Sequence, residues 1–217
     1  FMCFLVLFLL TTYKQSYAGN KEISFSELQK RYKEDYAIYL SEKEHVFIKT
    51  NGNEFEIYSD VNWEILYLSD KGRAYGNQNI QFSKFSEIQD IKAYSLLPKK
   101  GDPNNLKKVK VTDFKTEDVY DGSYFFHDNK QVAIKFPGNE PGTKINLSYR
   151  EKIKKPQFMG STFLINHLPT LKSEFSISFP SNVDVFYKLF NTEKIEIDQS
   201  EVKKKWSNYF NMESYKS

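Results

Sequence analysis

The sequence predicts a mainly β protein, an antiparallel β-sandwich with a short N-terminal helix. Aromatic residues make up 17% of the 217 residues, and aromatic-rich chains favour half-buried pleated surfaces. Apolar and polar residues alternate with a period of two in many short runs, which is the period of a β-strand. Turn residues separate these runs, and no helical pattern of about 10–15 residues lies between them, as a parallel α/β sheet would require.

The first 18 residues have the pattern of a secretory signal peptide. Phe1 to Leu10 is an uncharged apolar run, and Ser16-Tyr17-Ala18 supplies small residues at the expected cleavage site. As a helix, about ten residues span roughly 15 Å, which is too short for a bilayer core of about 30 Å. A buried core helix is the alternative, but the run has no polar face. We therefore expect an N-terminally truncated signal peptide over residues 1–18, cleavage near Ala18, and a periplasmic or cell-surface protein without a stable membrane span.

The single cysteine, Cys3, lies inside this predicted signal peptide. Cleavage would leave a mature chain without a thiol, and therefore without a disulfide, a cysteine nucleophile or a thiolate metal site. Cys3 also precedes most of the apolar run, whereas a lipid-attachment cysteine would follow it. We expect no lipid anchor.

The charge of the chain is nearly balanced. Lys and Arg number 31 and Asp and Glu number 28, for a net charge of +3. This balance provides no broad cationic field, so we expect no nucleic-acid partner. Clustered lysines, as in Lys107-Lys108, fit a solvent face or a protected sheet edge, and the alternative is a patch for an anionic surface polymer.

Residues 19–35 are predicted to form a helical lead-in and residues 36–217 a β-sandwich domain. The helix is expected over Ser24–Glu34, because Ser24 or Ser26 can cap it and apolar residues then follow at helical spacing. Asn51-Gly52-Asn53 indicates a hairpin, since Asn-Gly tolerates a positive φ. Strands are predicted at 36–40, 46–48, 55–57, 63–68, 91–96, 107–111, 122–126, 131–136, 144–154, 174–179 and 183–189, with one more near 195–197 and either a strand pair or a helix over 199–210.

No catalytic, cofactor or metal site is predicted. The three histidines, His45, His127 and His167, are too far apart in sequence for a local metal motif. His127, Asp121 and Ser123 could form a triad on paper, but triads are defined by geometry and no nucleophile-elbow motif is present. We expect a protein that is not an enzyme, and a hydrolase acting through His127 and Asp121 is the least favoured alternative.

The stretch Tyr120–Phe126 is the candidate ligand-contact segment. Tyr120, Tyr124 and Phe126 place three aromatic rings close together beside turn residues. Exposed rings of this kind stack on sugars, and packing into the core is the competing interpretation.

Four stretches resemble a bacterial family, domain of unknown function 3857, which lies N-terminal to transglutaminase-like domains in exported proteins. The most specific is the turn Phe136-Pro137-Gly138-Asn139-Glu140-Pro141-Gly142-Thr143-Lys144-Ile145. The others are Ile91-Lys92-Ala93-Tyr94 with Leu97-Pro98, then Val119–Phe126, and Leu168-Pro169 with Ser173–Pro180.

The resemblance implies an antiparallel β-sandwich in the cell envelope, followed in the family by a papain-like Cys-His-Asp domain. The matching motifs are strand and turn features, so no catalytic residue is carried over. We expect a non-catalytic exported module that packs against a transglutaminase-like domain or binds an envelope glycan or peptide. The alternative is an accessory fragment of a transglutaminase-like cysteine peptidase or amide transferase, whose catalytic domain would lie beyond Ser217.

Overall fold

The protein is mainly β, with one short helix and two sheets. The computed structural model describes residues 23–52, 54–119, 129–159, 167–186, 195–202 and 207–214. In chain order the elements are α1 (Phe25–Arg31), β1 (Ala37–Asn51), β2 (Glu54–Tyr67), a 3₁₀ helix (Asp70–Gly76), β3 (Asn77–Ser83), β4 (Ser86–Lys99), β5 (Asp102–Val111), β6 (Phe114–Asp118), β7 (Asn129–Lys135), β8 (Lys144–Ile153), a 3₁₀ turn (Pro156–Phe158), β9 (Ser173–Phe179), β10 (Ile195–Val202) and β11 (Ser207–Ser214).

The strands form an eight-stranded sheet in the order β10-β11-β9-β1-β2-β8-β4-β5 and a three-stranded sheet in the order β3-β7-β6. The predicted mainly β sandwich with a short N-terminal helix is confirmed. One pairing departs from the antiparallel pattern, because β9 runs parallel to β1 with Glu42 opposite Ser173. Parallel neighbours need a crossover in place of a tight hairpin, and β8 and β9, which are consecutive in the chain, are separated in the sheet by β2 and β1.

The main core lies between the two sheets. Ile80, Val132 and Ile134 of the small sheet pack against the face of the large sheet that carries Trp63 and Leu147. We call this face of the eight-stranded sheet the inner face and the opposite one the outer face. Because side chains alternate along a strand, each strand of the large sheet contributes to both faces.

Helix α1 covers one end of the outer face. Ser24 caps it, and the Glu27 backbone N–H donates to Ser24 Oγ at 3.3 Å. Leu28 packs with Ile38 and Leu66, and full burial of one leucine side chain contributes about 1.5–3 kcal/mol. The predicted helix and its cap at Ser24 are therefore confirmed, although α1 ends at Arg31 and not at Glu34.

A bulge at Leu40 changes the phase of β1. The register passes from Tyr39 opposite Ile65 to Ser41 opposite Glu64. Odd-numbered residues therefore face inward before the bulge, and even-numbered residues such as Val46 face inward after it. The alternation of Ile38 with Leu40 in the sequence reflects contact with α1, not with the small sheet.

Two strands of the small sheet have little signal in the sequence. β3 has only the short alternation of Ile80 and Phe82 and buries Ile80 alone, and β6 has no buried residue, so neither shows a sustained alternating apolar pattern. The strand predicted over 183–189 is wrong over its described residues, 183–186, which are not in a strand. The strand predicted at 122–126 lies outside the described residues. In the tail, β10 and β11 form an antiparallel pair, which settles the choice between strands and helix.

The turn before β8 is closely packed. The Gly142 N–H donates to the Tyr67 carbonyl at 2.8 Å, and Gly142 has a φ of +85°. A Cβ at this position would lie 2.8 Å from Pro103 Cβ. Gly101 has a similar φ of +74°, but a Cβ there would meet nothing within 4 Å. Substitutions at the two glycines therefore distinguish the cost of backbone strain alone from the cost of strain together with steric overlap.

We expect Gly142→Ala to lower the free energy of unfolding by about 2–5 kcal/mol, from left-handed strain together with overpacking against Pro103. The matched control Gly101→Ala should cost only the strain, about 1–2 kcal/mol. Urea unfolding of both variants measures the difference. Equal losses would show that the Gly142–Pro103 contact does not constrain this turn.

Candidate functional site

The outer face beyond α1 carries a polar groove with a volume of about 580 Å³. Cross-strand register brings its residues together from distant parts of the chain, because residues opposite one another share a face. One row runs through Lys43, Asn62, Ser148 and Lys92. The adjacent row runs through Ser176, His45, Asp60, Arg150 and Gln89, and of these only Gln89 does not line the groove.

Arg150 and Asp60 form the fixed centre of the groove floor. Arg150 Nε donates to Asp60 Oδ1 at 2.6 Å, and Arg150 Nη2 donates to Asp60 Oδ2 at 2.7 Å. These hydrogen bonds, with the negative charges of Asp60 and Asp90, raise the pKa of Arg150 above its usual value. Bidentate geometry holds both planar groups in one orientation, so each presents its remaining polar atoms at a defined position.

His45 connects β1 to the parallel strand β9. Its Nδ1 lies 2.6 Å from Ser176 Oγ, and its Nε2 lies 3.3 Å from Ser178 Oγ. Burial lowers the pKa of His45, and the negative charge of Asp60 opposes that shift. The lowered pKa favours the neutral ring, which joins two strands of the sheet.

Glu174 closes the groove on the β9 side. Its carboxylate accepts from Lys43, and its Oε1 lies 2.7 Å from Lys172 Nζ. Its side chain is only 16% exposed, so the two ammonium groups compensate a charge that is largely removed from water. Glu174 thereby fixes the position of Lys43 on the groove wall.

Asp90 and Lys92 form the opposite wall, on β4. The register shifts between Gln89 and Lys92, so that Asp90 and Ile91 form a β-bulge. Asp90 has a φ of +54°, in the left-handed region that non-glycine residues seldom adopt. Lys43 and Lys92 stand three strands apart, or about 14 Å at the usual strand spacing.

An aromatic pair borders the groove toward the β1–β2 turn. The rings of Phe47 and Tyr58 stack with their centroids 5.0 Å apart and their planes at 13°. Arg150 lies 5.0 Å and Lys49 lies 5.4 Å from the centroid of Phe47, and Lys152 lies 5.5 Å from that of Tyr58. These cations and the ring stacking hold the aromatic border in place.

The structure brings together few of the residues singled out from the sequence. His45 lies in the groove, whereas His167 stacks on Tyr75 at 5.9 Å, outside it. The ligand contacts predicted at Tyr120, Tyr124 and Phe126 lie outside the described residues, as do Cys3, the signal-peptide segment 1–18, and Asp121, Ser123 and His127. Among the residues that are described, no group of three or more His, Cys, Asp or Glu side chains could hold a metal ion. No helix in the described part of the chain is long and apolar enough to cross a membrane.

Sequence reasoning missed the groove as a site. In the sequence, the alternating polar residues Asn146, Ser148 and Arg150 indicate the solvent-facing side of a strand. This pattern was the available signal for the groove. Nothing in the sequence marks Asp90, because its bulge has no glycine. The pairing of Arg150 with Asp60 joins residues 90 positions apart and depends on the order of the strands.

Comparison with known proteins gives one family match. A family model described as "Domain of Unknown Function with solved-structure structure (DUF3857)" matches residues 54–209. This match confirms the family resemblance identified from the sequence. No curated protein sequence matches the chain significantly.

Among solved structures, the chain is similar to a proposed protease from Parabacteroides distasonis, with 15% identity and a TM-score of 0.64. The match covers 83% of this chain and 35% of that protein, so this chain spans about a third of its length. At this identity the likeness shows the fold alone. A yeast LTA4 hydrolase in complex with bestatin gives 10% identity and a TM-score of 0.36, over 82% of this chain and 28% of that one, and this weaker likeness carries no argument.

We expect His45→Gln to reduce the loss of stability on acidification. Because the folded state lowers the pKa of His45 from its usual 6.5, the unfolded chain binds the proton more readily. The contribution of His45 is therefore complete above pH 6.5 and is lost as the pH falls through the lowered pKa. Unfolding free energies measured at about pH 7.5 and about pH 5 should fall less in the variant than in the wild type.

The control for this measurement is His167→Gln, which removes an exposed histidine outside the groove and shows the effect of losing a histidine as such. An identical slope for His45→Gln and the wild type would contradict the account of His45.

Proposed function

Because the chain belongs to the DUF3857 family, we propose that it is a non-catalytic, exported β-sandwich module that binds an envelope polymer, a glycan or a peptide, in its outer-face groove. In a longer protein the same module would pack against a transglutaminase-like domain. The sandwich would supply the rigid support for recognition, and the polar side chains of the groove would supply the contacts.

The observation that carries this proposal is the set of fixed polar groups on the groove floor and walls. Asp60 holds Arg150, and Glu174 holds Lys43. A side chain already held in place loses little conformational freedom when a ligand binds, so its hydrogen bonds contribute more to affinity. All these groups lie on strands that pair on both sides, which keeps their spacing constant.

Export is supported by the sequence of residues 1–18. An apolar run followed by Ser16-Tyr17-Ala18 has the features of a cleaved secretory signal. The chemistry of the groove fits an extracytoplasmic polymer, because its polar groups match ligands that are rich in hydroxyl or amide groups.

We expect Lys92→Glu to weaken binding to isolated cell-envelope material about tenfold, equivalent to about 1.4 kcal/mol, because Lys92 lines the groove. The matched control is Lys135→Glu, which makes the same charge change at an exposed position of β7, in the small sheet, and should bind like the wild type. A pelleting assay with purified protein and envelope material measures both. Equal binding by the two variants would place recognition elsewhere.

A second candidate function is that of an accessory front end of a transglutaminase-like cysteine peptidase or amide transferase. The favouring observation is that this fold spans 35% of a longer protein described as a proposed protease. In that arrangement the sandwich would present a bound polymer to a catalytic domain encoded after residue 217.

We expect the product isolated from the envelope fraction to begin near Gly19, as signal-peptide cleavage requires. Intact mass and terminal sequencing give both ends of the product. A product that ends near Ser217 would support the free-standing module, and one that continues into a Cys-His-Asp domain would support the accessory function. A product that stays in the cytoplasm with residues 1–18 attached would contradict export.

A further inference from the structure

The charges that line the outer-face groove nearly cancel. Lys43, Lys92 and Arg150 contribute three positive charges, and Asp60, Asp90 and Glu174 contribute three negative ones. Glu44 also lines the groove and adds a fourth negative charge, although its Oε1 accepts a hydrogen bond from the buried Ser59 at 2.7 Å. A groove with so small a net charge gives little long-range attraction to a polyanion or a polycation.

The groove offers donors and acceptors at short intervals. Asn62 and Ser148 lie between the two lysine walls, and each of them both donates and accepts hydrogen bonds. Carboxylates accept, and ammonium and guanidinium groups donate, so both functions occur within a few ångströms of one another. A hydroxyl group also donates and accepts, and a neutral sugar presents several hydroxyls at comparable spacing.

An extended peptide is a poorer match to this surface. Peptides that join sheets add a strand at an exposed edge and gain main-chain hydrogen bonds there. The groove lies on the face of β1, β2, β8 and β4, and there β1, β2 and β8 have a paired strand on both sides, whereas residues 86–92 of β4 pair with β8 alone. Most backbone groups beneath the groove are therefore already used, and recognition on this face falls to side chains.

Asp90 is the residue of the groove whose backbone geometry is unfavourable. A left-handed conformation costs free energy for any residue with a Cβ, and glycine would remove that cost. Lys100 is the other non-glycine residue with positive φ in the described chain, also at +54°, and it lies in the β4–β5 turn away from the groove. The bulge places Asp90 on the groove wall, where its carboxylate can accept hydrogen bonds from a ligand.

From these observations we propose that the outer-face groove is a binding site for a neutral oligosaccharide, and that Asp90 is a specificity-determining residue that accepts hydrogen bonds from two adjacent sugar hydroxyls. The proposal rests on the proposed function and names the ligand class of that same groove. Arg150 and Lys92 donate to ring and hydroxyl oxygens, and Asn62 and Ser148 contact the sugar from the floor.

The test uses the purified full chain and a panel of defined ligands. The panel contains neutral hexose oligomers, N-acetylated amino-sugar oligomers, uronate oligomers, and acidic and basic peptides. We expect the neutral sugars to bind best, with a dissociation constant that changes less than about twofold between about 0.05 and 0.5 M NaCl. A uronate oligomer that binds best, with a strong salt dependence, would overturn the proposal.

Three variants test Asp90. Asp90→Gly should weaken binding at least about tenfold while raising the melting temperature, because it removes the carboxylate and the strain together. Asp90→Asn, which keeps the size of the side chain and the tolerance for this backbone geometry, should also weaken binding. The matched control Lys100→Gly should raise the melting temperature and leave the affinity unchanged. Wild-type affinity in Asp90→Gly would overturn the role of Asp90.

The same panel separates failure of this inference from failure of the proposed function. A peptide that binds in preference to every sugar, and binds more weakly to Lys92→Glu, would overturn the sugar site and leave the groove as the binding surface. If no neutral sugar binds while envelope material still binds in a Lys92-dependent way, the ligand class is wrong and the proposed function stands. If the binding of sugars and of envelope material does not depend on the groove residues, both the sugar site and the proposed function are overturned.

Discussion

The register of the long β1–β2 hairpin is the constraint on which the rest of the structure depends. After the bulge, eleven consecutive residues of β1 pair with β2 without interruption, from Ser41 opposite Glu64 to Asn51 opposite Glu54. A slip of one residue would turn Trp63 outward and Asp60 inward, because strand side chains alternate. Such a slip would expose an apolar side chain of the core and bury the Asp60 carboxylate at the same time. The sandwich core and the groove are therefore specified by the same pairing.

The two faces of this hairpin have different covers. The small sheet covers the inner face around Trp63, and α1 covers the outer face around Ile38. The bulge at Leu40 makes both contacts possible, because odd-numbered residues of β1 face inward before it and even-numbered residues face inward after it. Among the described residues, the outer face beyond α1 keeps its polar side chains, and Arg150 with Asp60 gives them a fixed centre. The groove therefore occupies the part of the outer face that α1 does not cover.

The fold could be predicted from the sequence wherever one strand face is apolar. Trp63, Ile65 and Tyr67 show this alternation, and they line the core. The edge strands β3 and β6 could not be predicted, because an edge strand with a solvated face needs few apolar residues. The groove could not be predicted either, since it depends on which strands are neighbours. Asp60 and Arg150 each look like ordinary surface residues until β2 and β8 pair.

The central claim is that the polar groove on the outer face is the recognition surface of this DUF3857 module. Amide chemical-shift perturbation on ¹⁵N-labelled protein, titrated with solubilised envelope polymer, tests it most directly. The account predicts perturbations concentrated at residues 43–45, 60–62, 90–92 and 148–150, the strand segments that line the groove. Perturbations confined to the small sheet, at β3, β6 and β7, with none at these segments, would contradict it.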